Sequence, residues 1–82
     1  MNASRITATR TSVRDSATIV PLGWGRWRIL TSTGTVAGLV EELPTPQGTR
    51  FRSLRYRWNA RAFQAIGEFW RFDDAVSALR NG

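Results

Sequence analysis

Apolar and polar residues alternate along much of the chain, a period that is typical of half-buried strands. The middle of the chain reads Arg-Phe-Arg-Ser-Leu-Arg-Tyr-Arg-Trp, and this alternation places Leu54, Tyr56 and Trp58 on one face. We expect that face to anchor the core, while Arg55 and Arg57 on the opposite face lie in solvent. The same period predicts four strands, over residues 26–31, 35–42, 49–58 and 61–70.

The first two predicted strands are joined by a short glycine-containing loop. A three-residue loop at 32–34, with glycine last, fits a type I turn followed by a bulge. This loop predicts that Trp27 and Ile29 share a face with Ala37 and Leu39.

The remaining two connections are predicted from proline and from burial. Residues 43–48 contain two prolines and a glycine, and they predict a loop because proline cannot donate to a strand ladder. A two-residue turn at 59–60 would set Tyr56 opposite Phe63. Burial of Phe63 and Phe69 favours this register over a slip by one residue, which would turn every side chain to the other face.

The end of the chain has the signals of a helix. Asp73 suits the N-cap and Asp74 adds negative charge to the first turn. Val76 and Leu79 form a narrow apolar stripe. The predicted fold class is α+β: a small antiparallel sheet of about four strands with one C-terminal helix packed on one face. Residues 1–20, rich in Ser, Thr and Arg, are expected to be a flexible basic arm, and residues 21–82 a single α+β domain.

Charge adds more to this picture than any other feature of composition. The net charge is +6, and all twelve basic residues are arginine. Arginine carries a permanent, planar charge that grips phosphate or carboxylate in pairs, which favours a polyanion as ligand. A GC-rich genome that replaced lysine with arginine would give the same count without a binding role.

Several function classes find no support in the sequence. There is no cysteine or histidine, so disulfides, thiolate chemistry, imidazole catalysis and the usual zinc sites are excluded. The acidic pairs Glu41–Glu42 and Asp73–Asp74 are consecutive and do not converge as a catalytic dyad must. We therefore expect no enzyme activity, no catalytic residue, no metal and no cofactor. The longest apolar stretch is too short to span a membrane, and we expect a cytoplasmic protein without a membrane partner.

The arginines cluster where a sheet would present them. Five arginines and no acid lie between residues 50 and 61. Arginine on a sheet face can contact phosphates or enter the major groove, although a solvated face whose arginines cover apolar neighbours has the same pattern. The candidate nucleic-acid-binding residues are Arg26, Arg28, Arg50, Arg52, Arg55, Arg57 and Arg61, with Trp24 and Trp27 as candidate contact aromatics. The aromatics of the third strand are expected in the core rather than as stacking platforms.

Three short segments resemble a known class of DNA-binding domain. Ile66-Gly-Glu-Phe69 followed by Asp-Asp-Ala-Val-Ser-Ala-Leu79 is similar to the last strand and helix of AP2-type domains and of the arm-binding domains of phage-type integrases. Gly25-Arg-Trp-Arg-Ile29 and Phe51-Arg-Ser-Leu-Arg55 resemble their other strands, in a different order. The resemblance implies a sheet laid in the major groove. It transfers the contact role to Arg26, Arg28, Arg52, Arg55 and, as a further candidate, Trp27.

The sequence thus predicts a small non-enzymatic protein that binds double-stranded DNA through an arginine-rich sheet face. The first alternative is a protein-interaction module or inhibitor, for example of phage type, that docks on an acidic partner surface, because arginine and tryptophan also anchor protein interfaces. The second is a homo-oligomer that buries the mixed second face of the first hairpin.

Overall fold

In the computed structural model, residues 11–12 and 17–81 are described, and they form one antiparallel sheet and one helix. In chain order the elements are β1 (Thr11–Ser12), β2 (Ala17–Gly23), β3 (Arg26–Leu30), β4 (Val36–Thr45), β5 (Gly48–Arg57), β6 (Ala62–Phe69) and α1 (Phe72–Asn81). Each strand pairs with the next, so the sheet is a meander. The α+β class is confirmed. The sheet has five strands of five residues or more, and a two-residue strand at its edge, where about four were predicted.

β2 extends the sheet into the segment that the sequence assigned to a flexible arm. Residues 18–20 pair with β3 and Ala17 pairs with Ser12 of β1, so strand structure begins before residue 21. The rest of that predicted arm, residues 1–10 and 13–16, lies outside the described residues. The turn between β2 and β3 is formed by Trp24 and Gly25, both with positive φ, at 59° and 70°. This is the primed geometry that suits a two-residue hairpin.

The proline-rich segment is strand rather than the predicted loop. β4 continues to Thr45 and β5 begins at Gly48, which leaves a two-residue turn. Glu42 donates its N–H to the carbonyl oxygen of Gly25 at 2.7 Å, just before the first residue of β3. Pro44 faces the same edge two residues further on, beyond the end of β3. Its missing N–H therefore breaks no ladder bond.

The loop between β3 and β4 was predicted correctly, but the register beyond it was not. Thr31 donates its N–H to the carbonyl oxygen of Thr35 at 2.8 Å, and Gly34 has a φ of 87°. A bulge then shifts the pairing by one residue, so that Ile29 lies opposite Gly38 rather than Ala37. The extra residue explains the error, because a bulge is a local insertion that alternation alone does not reveal.

From Leu54 to the turn, the register between β5 and β6 is the predicted one, with a longer loop. Before Leu54 a bulge shifts the pairing by one residue, so that Ser53 lies opposite Gly67. Tyr56 pairs with Phe63, and the last pair is Arg57 with Ala62. The predicted two-residue turn at 59–60 is replaced by residues 58–61, with Arg61 at a φ of 52°. A two-residue primed turn needs positive φ at both central positions, which alanine resists. The burial used to argue for the register does not hold, because Phe63 is 44% exposed.

α1 packs on one side of the sheet, over β5 and its two neighbours. It begins at Phe72, one residue before the predicted cap, and Ala75 donates its N–H to the carbonyl oxygen of Arg71. The predicted apolar stripe is confirmed, since Val76 and Leu79 are buried. The core consists of this stripe and two sheet residues; its fully packed members are Ile29, Val40, Ala75, Val76 and Leu79.

On β5 the two faces of the sheet are reversed with respect to the sequence prediction, whereas Trp27 and Ile29 share one face of β3 as predicted. The helix face, on which α1 lies, carries Trp27, Ile29, Gly38, Val40, Phe51, Ser53 and Arg55. The open face carries Arg26, Arg28, Leu39, Glu41, Arg50, Arg52, Leu54, Tyr56, Phe63 and Glu68. Leu54 and Tyr56 were predicted to face the core, and they lie on the open face instead.

Small side chains explain why the helix packs on this face of the sheet. Ser53 is fully buried, and its hydroxyl donates to the carbonyl oxygen of Ala75 at 2.7 Å. A Cβ added to Gly38 would lie 2.7 Å from Leu79 Cδ2. The helix backbone approaches the sheet closely where serine and glycine leave room, and the Tyr56 ring of β5 lies on the other side.

Candidate nucleic-acid interface

The seven arginines proposed from the sequence do not share one face. Four lie on the open face of the sheet: Arg26, Arg28, Arg50 and Arg52. Two lie on the helix face or at its end, Arg55 and Arg57, and Arg61 lies in the β5–β6 turn. The candidate interface is therefore the open face, and the arginines of the helix face are separated from it by the sheet.

Arg55 contacts the last turn of the helix. Its Nη2 donates to the carbonyl oxygen of Ala78 at 3.1 Å, and its Nη1 to that of Leu79 at 3.4 Å. The last carbonyl groups of a helix lack partners within the helix and carry partial negative charge. The half-buried guanidinium of Arg55 satisfies them, which corrects the expectation that this side chain lies in solvent.

Opposite charges alternate across four strands of the open face. Arg26, Glu41, Arg52 and Glu68 lie side by side on β3, β4, β5 and β6, and we call this row the charge ladder. Arg52 lies 3.9 Å from Glu41 and 4.0 Å from Glu68, measured between nitrogen and oxygen. The two carboxylates offset much of the positive charge on this half of the face.

Arg50 extends the charge ladder toward the end of the sheet. Its Nη1 lies 3.7 Å from Glu68, and its guanidinium carbon lies 4.7 Å from the centre of the Trp70 ring. Both contacts hold the cation in place, since an ion pair fixes one side and a cation–π contact the other. The Nε of Arg50 is buried and has no hydrogen-bond partner among the described residues.

Two arginines of the open face remain available to an outside anion. Arg26 and Arg28 are exposed and make no ion pair within residues 18–80. Successive open-face positions on one strand are about 7 Å apart. Arg61, in the turn, is exposed as well.

An aromatic group that the sequence placed in the core lies on the open face. We call Tyr56, Trp58 and Phe63 the aromatic patch. The Tyr56 ring centre lies 4.6 Å from that of Trp58 and 5.1 Å from that of Phe63, both in edge-on arrangements. The signal in the sequence that would have placed these rings on the open face is the pair of small residues on the other face, Gly38 and Ser53. They mark where the helix packs.

The two candidate contact aromatics differ in their surroundings. Trp24 is 94% exposed at the tip of the β2–β3 hairpin. Trp27 lies on the helix face, where its ring centre is 4.9 Å from that of Phe72 and 6.3 Å from that of Phe51. Trp27 therefore packs beside the helix, and Trp24 is the candidate that solvent reaches.

Other kinds of site find no support in the described part of the chain. No group of three or more His, Cys, Asp and Glu side chains is placed there to hold a metal ion. In the described part of the chain, no helix has the length and apolar character needed to cross a membrane. No family model, curated protein or solved structure matches the chain. The resemblance to AP2-type and integrase arm-binding domains stays a prediction.

Proposed function

We propose that this protein binds DNA through the open face of its sheet. The observation that carries the proposal is the position of α1, which covers one face and leaves uncovered the face that carries Arg26, Arg28, Arg50 and Arg52. A sheet backed by a helix presents a rigid backbone, so only the arginine side chains need ordering on binding. The net charge of +6 adds long-range attraction to any polyanion.

Arg26 and Arg28 are the central contacts in this proposal. Both are exposed, and both project from β3 toward the same side. Neighbouring phosphates of a DNA strand are separated by a comparable distance, so two guanidinium groups on one strand can contact successive phosphates. Arg50 and Arg52 contribute less, because Glu41 and Glu68 hold them. The role is sequence-independent affinity, since phosphate contacts position a protein without reading bases.

The proposal is tested by titrating the protein into a labelled mixed-sequence duplex of about 20 base pairs at several salt concentrations. Fluorescence anisotropy gives the affinity at each concentration. If two to four phosphates are neutralised, the log–log slope is about −2 to −4. Absence of binding at low salt would contradict the proposal.

The second candidate is a protein-interaction module that docks on an acidic partner. Exposed tryptophans favour it: Trp24, Trp58 and Trp70 are 94%, 61% and 54% exposed. Tryptophan and arginine dominate the energetics of protein interfaces. A protein partner predicts saturable binding of one protein with weak affinity for DNA, and this separates the two candidates.

A further inference from the structure

The half of the open face away from the charge ladder forms a shallow pocket beside the aromatic patch. The pocket has a volume of about 250 Å³ and is lined by Arg28, Val36, Tyr56, Trp58 and Phe63. Cross-strand pairing of Tyr56 with Phe63 sets the two rings side by side, and Trp58 follows Tyr56 on the same side of β5. The result is one cation next to three rings on a single surface.

The rings of this pocket are unusually open to solvent. Trp58 is 61% and Phe63 44% exposed. Large contiguous patches of exposed apolar surface are rare on small soluble proteins, and where they occur they often mark a contact site. No acidic residue lines the pocket, and the carboxylates of the open face, Glu41 and Glu68, lie in the charge ladder on the other half. The charge beside the rings is therefore positive only, which favours an anionic ligand with a flat apolar part.

We propose that the pocket binds an unpaired nucleobase, so that the protein prefers single-stranded to double-stranded nucleic acid. This inference rests on the DNA-binding function proposed above and names the form of nucleic acid that the site takes. The base stacks on Trp58 with Phe63 beside it, and Arg28 contacts the adjoining phosphate. Base–aromatic stacking tolerates any sequence because every base has a π face.

A duplex does not present an unpaired base to this pocket. Its base faces are buried in the stack, and removing one base costs a few kcal/mol. A duplex therefore gains only the phosphate contacts with the arginines of the open face. A single strand gains those contacts together with stacking on the aromatic patch, which gives the predicted preference.

The test compares three ligands at one low salt concentration: an oligothymidine of about 10 nucleotides, an abasic strand of the same length, and a duplex of about 20 base pairs. The oligothymidine and the abasic strand carry the same phosphates, so their difference reports stacking. We expect the oligothymidine to bind about 10-fold more tightly than the abasic strand. In Trp58→Ala this difference falls to about 2-fold or less.

Trp70→Ala is the matched control. Trp70 is also exposed, but it lies beside Arg50 at the other end of the sheet, outside the pocket. We expect this variant to keep the preference for oligothymidine. Trp58 and Trp70 are both more than half exposed, so both variants should keep the fold, and circular dichroism checks this.

The outcomes separate the two proposals. Equal affinity for the abasic strand, the duplex and the oligothymidine, unchanged in Trp58→Ala, would overturn the base pocket and leave DNA binding standing. Failure of all three ligands to bind would overturn both, and the aromatic patch would then be a docking surface for a protein or for a second copy of this chain. Loss of the preference in Trp58→Ala but not in Trp70→Ala supports the inference.

Discussion

The guanidinium of Arg55 donates to the carbonyl oxygen of Ala78, across the gap between β5 and the last turn of α1, at 3.1 Å. One arginine of β5, the strand with the most arginines, thus stabilises α1. We expect Arg55→Ala to lower the free energy of unfolding by about 1–2 kcal/mol, because the last carbonyl groups of the helix lose a charged donor. Urea denaturation measures this change.

The same substitution should leave DNA binding nearly unchanged in the folded protein, since Arg55 lies on the helix face. Arg55→Lys keeps the charge but loses the planar fork, so its stability should be intermediate. An Arg55→Ala variant that is as stable as the wild type but binds duplex DNA more weakly would contradict this assignment.

Gly38 is the position where β4 and α1 approach most closely. An added Cβ would collide with the backbone oxygen of Leu54 and would lie 2.7 Å from Leu79 Cδ2. Since a backbone atom of a central strand has little freedom to move, we expect Gly38→Ala to cost about 2–3 kcal/mol of stability. Gly34→Ala is the comparison: nothing lies within 4 Å, and only its φ of 87° opposes a side chain. Its cost should be about 1 kcal/mol. Equal losses in thermal or urea unfolding would argue against close packing at Gly38.

Glu68 restrains both Arg50 and Arg52 on the open face. Glu68→Gln removes a negative charge from the proposed interface, frees Arg50 of its ion pair and leaves Arg52 paired with Glu41 only. We expect duplex affinity to rise by about threefold at low salt, with the gain shrinking as salt increases. The stability change should stay below about 1 kcal/mol, because these ion pairs are partly exposed. Affinity that falls in this variant would show that the charge ladder positions the arginines for binding.

Trp24 occupies a turn position that asparagine or glycine would suit better. Its φ is 59° and its side chain is 94% exposed, so the ring contributes little packing to the fold. We expect Trp24→Asn to raise the free energy of unfolding by about 0.5–1 kcal/mol, because asparagine tolerates the left-handed conformation. If Trp24 contacts a ligand, the same variant should bind more weakly while being more stable. A loss of stability would show that the ring packs in solution against part of the protein.

Local signals in the sequence predicted much of the fold. The helix stripe of Val76 and Leu79 and the glycine in the β3–β4 loop follow from period and turn chemistry. The pairing of Tyr56 with Phe63 was also predicted, although from a loop length and a burial that the structure does not have. The bulge between Ile29 and Leu30 and the strand character of Pro44 were missed. Both depend on where a neighbouring strand ends, which a single strand's pattern does not encode.

The face of the sheet was the larger error, and it has a physical reason. Hydrophobicity assigned Leu54, Tyr56 and Trp58 to the core, whereas the helix packs on Ser53 and leaves the rings on the open side. Close approach of a helix needs small residues more than it needs apolar ones. The structure divides the arginines of β5 between the two faces, and Arg55 was predicted on the wrong one.

The most direct test of the account compares two double variants with the same loss of charge. Arg26→Ala/Arg28→Ala removes the two available cations of the open face, and Arg57→Ala/Arg71→Ala removes two exposed arginines that lie on the helix face and in the connection to α1. Duplex affinity is measured against salt for both. The account predicts that the first variant loses at least about 10-fold in affinity at low salt and flattens the log–log slope by about 2, while the second changes affinity only about 2- to 3-fold. Equal losses in the two variants would contradict binding through the open face, because net charge alone would then explain the affinity.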